Sequence, residues 1–78
     1  MQRWEYCEVE CVGGSEVTVR YYQPNGSIIH GPEEWRNIFA ARERAKQMAA
    51  QLGLDGWEMV NARDNGEEFW FKRPIELK

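Results

Sequence analysis

Few side chains in this 78-residue chain are suited to covalent or acid–base chemistry, and their spacing limits what they can do. His30 is the single histidine, and general acid–base work needs it beside a nucleophile or a second titratable group. Ser27, Cys7 and Cys11 are the candidate nucleophiles, yet neither cysteine has a basic neighbour in sequence to favour a thiolate. Two cysteines and one histidine fall short of the four ligands of a structural zinc site. Glu8 and Glu10 share one face of an extended segment, where such a pair reads as a solvated charge row answered by Arg20 or Lys72 across a sheet. Arg36, Arg42, Arg44 and Lys46 form a basic cluster interrupted only by Glu43, which suits a phosphate-containing partner if it is not simply a solvated helix face. Gly13-Gly14 and Gly53-x-x-Gly56 are not phosphate loops, because the first joins two strands and the second ends a helix instead of opening one. The expectation is a protein that is not an enzyme and needs no metal or cofactor.

These residues must be positioned by one small domain covering 1-78, at the size where a single core stabilises only marginally and partner contact helps. A disulfide is not expected to supply that help: on one strand, Cys7 and Cys11 stand roughly 13 Å apart at about 3.3 Å per residue, too far to bridge. The net charge of −3 argues against nucleic-acid binding. No apolar run approaches a membrane span, and Met1-Gln2-Arg3-Trp4-Glu5 does not read as a signal peptide. A soluble cytoplasmic protein with reduced thiols is expected, with no membrane partner.

Arg3 to Val12 alternates as a strand, with Cys7, Val9 and Cys11 inward and Trp4, Tyr6, Glu8 and Glu10 outward. After Gly13-Gly14-Ser15, Glu16 to Gln23 repeats the pattern, with Val17, Val19 and Tyr21 inward. Pro24-Asn25-Gly26 fits a three-residue loop in which Gln23 faces Ser27 and Tyr21 faces Ile29, so that Ile28 and His30 point outward. A two-residue Asn25-Gly26 loop would shift this register. Gly31-Pro32 closes the hairpin, and a helix starts there or at Asn37. Ile38, Ala41, Ala45, Met48, Ala49 and Leu52 then mark one buried stripe, with Gly53 placed for a left-handed cap and Leu54 folding back. Asn65-Gly66 joins a last hairpin, pairing Asp64 with Glu67, Ala62 with Phe69 and Val60 with Phe71. Trp57, Met59, Asn61, Trp70, Lys72 and Pro74 then lie outward. The sum is an α+β fold, an antiparallel sheet of about five strands in the order β-β-β-α-β-β with one helix packed on one face.

Trp4-Glu5-Tyr6, Leu52-Gly53-x-x-Gly56-Trp57-Glu58-x-Val60 and Phe71-Lys72-Arg73-Pro74 together resemble a family of small bacterial domains of unknown function. Its members carry a WEY-like first strand, LGxxGWE(L/M)V after a helix, and a final strand ending in KRP. The resemblance implies a small α+β fold and brings no catalytic residues. The hairpin from Glu16 to His30 is longer than the family minimum.

Trp4, Tyr6, Tyr22, Ile28, Trp57, Met59 and Trp70 all fall on the outer face, more large apolar groups than an ordinary monomer surface scatters. The leading reading is therefore an interaction module that forms a homo-oligomer, most simply a dimer, through this face. A heterologous protein partner can use the same patch, and the chain's own termini can cover it. The competing reading is a small-molecule or phosphate binder with an intersubunit site near His30, Arg36, Arg42, Arg44 and Lys46.

Overall fold

The computed structural model describes residues 2–13, 15–63 and 67–75. In chain order the elements are β1 (Trp4–Val12), β2 (Glu16–Gln23), β3 (Gly26–Glu34), α1 (Ile38–Leu54), β4 (Glu58–Ala62) and β5 (Glu68–Pro74). The strands form one antiparallel sheet in the order β3-β2-β1-β5-β4. The chain thus completes one hairpin pair, crosses by α1, and returns to lay β5 against the free side of β1. Helix and strands meet as expected, and the sheet order places β1 at its centre.

α1 begins where Asn37 turns its side chain back to accept from the Ala40 amide at 2.9 Å, satisfying a donor the helix itself leaves free. Its buried residues are Ala41, Ala45, Ala49 and Leu52 of the stripe read from the sequence, whose other members, Met48 and Ile38, are partly buried. Three alanines bring the helix axis close to the sheet. Beneath them lie Cys7, Val9 and Cys11 of β1, Val17 and Val19 of β2, and Phe69 and Phe71 of β5, with Phe71 only 1% exposed. The expected cap at Gly53 is corrected: the helix runs through that glycine to Leu54, which is 83% exposed instead of folding back. Asp55 closes the last turn through its amide to Gln51 and Leu52, and Gly56 takes the positive φ of 92°.

Orientations differ from the sequence reading in three places, each for a backbone reason. Gly26, at φ 137°, pairs directly with Gln23, so the loop is Pro24-Asn25 and β3 starts one residue earlier. A one-residue slip reverses every side chain. Ile28 now pairs with Tyr21 and His30 with Val19, which turns both to the helix face, while Ile29, opposite Arg20, turns outward. In the last hairpin Ala62 pairs with Phe69 as expected, but an irregularity between Met59 and Asn61 throws Val60 out of register, so Met59 and not Val60 lies opposite Phe71. Trp57, expected outward, precedes β4 and is a core residue at 7% exposure, its ring 5.9 Å from Tyr21 and 4.4 Å from the Arg73 guanidinium. The Asp64 to Gly66 turn lies outside the described residues.

β3 also continues past Gly31-Pro32, where the sequence suggested that the hairpin closed, and runs on to Glu34. Gly31 is required there: it sits at φ 107°, and a Cβ would stand 2.8 Å from the Val17 carbonyl oxygen.

Both cysteines are free and buried. Burial, reinforced by Glu8, pushes the Cys7 thiol up to about 12, and burial also pushes Cys11 upward. The folded protein therefore keeps a proton that the unfolded chain releases above about pH 9, so this contribution is complete below that pH and is lost as the pH rises through the folded value. Tyr21 and Tyr22, also raised mainly by burial, act in the same direction. Urea unfolding should show stability falling from about pH 9 upward, less steeply in Cys7→Ala. A native-state thiol that labels as fast as in denaturant would contradict this burial.

Candidate functional site

The sheet face away from α1 carries Trp4, Tyr6, Glu8 and Glu10 of β1, Thr18, Arg20 and Tyr22 of β2, and Glu68, Trp70 and Lys72 of β5, brought side by side by the registers of these strands. Glu8, expected to be a solvated charge, is 5% exposed. The Tyr22 and Trp70 rings stack at 5.7 Å, 18° from parallel, on the strands either side of it. Burial of a carboxylate is tolerated only with donors, and these are present. The Tyr22 hydroxyl donates to Glu8 Oε1 at 3.0 Å, and Arg20 Nη1 reaches Glu8 at 3.4 Å and Glu10 at 3.5 Å. Burial and the Glu8 hydrogen bond hold the Tyr22 hydroxyl above the usual tyrosine range.

The neighbouring rings are fixed in the same way. The Trp70 indole Nε1 donates to Glu68 Oε1 at 2.7 Å, Arg63 reaches the other Glu68 oxygen at 3.3 Å, and Lys72 Nζ sits 4.2 Å from the centre of the Trp4 ring. Oxygens of Glu8, Glu10 and Glu68 lie within 4.8 Å of one another. Arg20, Tyr22, Trp70 and Arg63 already supply the positive charge and donors that such a trio of carboxylates requires.

Of the seven residues expected on this face, Trp4, Tyr6, Tyr22 and Trp70 are there. Ile28, Met59 and Trp57 are on the other side, for the register reasons given above. Ile29 takes their place at 56% exposure. Sequence reasoning missed Ile29 and the enclosed Glu8; the Tyr22 and Trp70 rings that flank it were the available signal.

The helix side offers a second feature. A groove of about 510 Å³ opens between the C-terminal half of α1 and the β2–β3 hairpin, with Val19, Tyr21, Met48 and Leu52 as apolar lining and His30, Arg44, Gln47, Gln51 and Asp55 as polar lining. Two members of the expected ligand cluster, His30 and Arg44, meet here. The others do not: Arg42 pairs with Glu67 at 3.0 Å, Lys46 with Glu43 at 3.2 Å, and Arg36 lies before the helix. Residues two apart on a helix point roughly 200° away from each other, which separates Arg42 from Arg44. Arg44 itself is held by Glu33 at 2.9 Å. The basic run in the sequence is thus broken into separate ion pairs.

Removing the hydroxyl in Tyr22→Phe leaves the enclosed Glu8 short of a donor, and urea unfolding at neutral pH should show a loss of about 1–3 kcal/mol. A loss no larger than that of an exposed substitution would mean that water, not Tyr22, satisfies this carboxylate. Comparison of the chain with family models, curated proteins and solved structures returns no match.

Proposed function

We propose that this domain is a non-catalytic interaction module that pairs with a second copy of itself through the outer face of its sheet. The supporting observation is that this face holds some of its rings fixed and leaves others accessible. Trp4 remains 37% exposed and Tyr6 46%, while stacking, hydrogen bonds and the Lys72 contact restrict Trp4, Tyr22 and Trp70. Rigid aromatic anchors lose little conformational entropy on binding, and burying each remaining ring is worth roughly 1.5–3 kcal/mol. Two sheets packed face to face bury such rings, with Arg20 and Lys72 interspersed among them on β2 and β5. A two-fold dimer needs one self-complementary patch.

The non-enzymatic reading draws on the buried thiols and on the opposite faces of β3 that Ser27 and His30 occupy, which keeps these candidate groups apart. Two reduced cysteines fit a reducing compartment such as the cytoplasm. Among the described residues, no helix is long and apolar enough to cross a membrane. Membership in the WEY and LGxxGWE family remains part of this proposal and agrees with a small scaffold used for its surface.

Light scattering on the purified protein at tens of micromolar should give a dimer. The double variant Tyr6→Ser with Ile29→Ser should be monomeric and folded, while Phe39→Ser, exposed on α1, should remain dimeric. A monomeric wild type, or dissociation only by the helix variant, would overturn the assignment of this face.

A further inference from the structure

The groove on the opposite side of the sheet is outside that interface, and its charge is uneven. Its cation, Arg44, is neutralised by Glu33 at 2.9 Å. Its anion, Asp55, is less closely matched: among the described residues its carboxylate accepts a long 3.4 Å hydrogen bond from Gln51, while Arg73 donates to the Asp55 backbone carbonyl at 3.3 Å, pairs with Glu5 at 2.6 Å and stacks on Trp57. Asp55 also stands at the C-terminal end of α1, where helix carbonyls concentrate negative potential and no basic residue occupies the last turn. Between the two ends lies an apolar and aromatic wall. Tyr21 meets His30 edge-on at 5.5 Å, with Met48 and Leu52 opposite on the helix.

We propose that this groove binds a small aromatic amine in its protonated form, the ring against Tyr21, His30 and Met48 and the ammonium toward Asp55. The groove is open to solvent on one side, and its volume of about 510 Å³ leaves room for such a molecule. Thioether and aromatic groups favour a flat ring, and the less closely matched carboxylate at the helix end favours a cation. A phosphate or carboxylate ligand is disfavoured, because Arg44 is already paired and Asp55 would repel it. The chain's net charge of −3 acts in the same direction.

The test uses tryptamine and indole-3-propionate, an amine and an acid on the same ring, followed by NMR of His30 and the Met48 methyl. Tryptamine should shift both signals saturably, and the acid should not at equal concentration. Asp55→Asn, which keeps the backbone cap, should weaken tryptamine roughly fivefold, and Arg44→Gln should strengthen it, as expected for single partly screened charges. Equal or tighter binding of the acid, unmoved His30 and Met48 signals, or an affinity indifferent to Asp55→Asn would overturn the proposal. The monomeric Tyr6→Ser with Ile29→Ser variant should bind tryptamine like the wild type; loss of binding there would place the site between subunits and contradict a groove complete in one chain.

Discussion

A single helix cannot cover five strands, and most of this molecule follows from that limit. At about 4.8 Å between strands the sheet is roughly 20 Å across, whereas a helix with its side chains is about 10–12 Å wide. α1 is therefore laid over β1 and β2 with an edge toward β4. Ala41, Ala45 and Ala49 allow close approach over Cys7 and Val9, and the large volume of the core comes instead from Phe69, Phe71, Leu52 and Trp57. Trp57 closes the space below the helix end, clasped between Tyr21 and Arg73.

What the helix leaves uncovered determines the two surfaces. On the helix side the β2–β3 hairpin projects beyond α1, which opens the groove and leaves Ile28 half-exposed. On the other side no described element is layered on the sheet, and the face organises itself. Aromatic rings enclose Glu8, the carboxylates of Glu8 and Glu68 hold Tyr22 and Trp70, and Arg20 and Arg63 pair with those carboxylates. A buried carboxylate with one donor removed is costly, so this arrangement favours fixed ring positions over a fluid apolar patch.

Much of this was legible in the sequence, unevenly. The helix stripe from Ala41 to Leu52 and the inward sets of β1 and β2 follow from periodicity, and the structure places them as read, with Ile38 at the helix start outside the core cluster. Orientation failed where a single residue of register decides it. Gly26 admits a φ that starts β3 early, and a bulge at Val60 exchanges Met59 for Val60; neither has a hydropathy signature. Trp57 was misassigned because alternation was extended backward into a segment that is not yet strand. The basic run on α1 looked like one site in sequence, but a helix distributes its neighbours around its axis, and acidic partners from Glu33, Glu43 and Glu67 lie far apart along the chain.

We have proposed that two copies of this domain meet through the outer sheet face and not through the helix face. Two-dimensional NMR across a dilution series from millimolar to low micromolar protein tests it most directly. Pairing through the sheet should give concentration-dependent shifts confined to Trp4, Tyr6, Ile29, Trp70, Lys72 and their strand neighbours, with Ala41, Ala45 and Phe39 unmoved. Shifts centred on the helix face, or spectra that do not change with concentration, would contradict it.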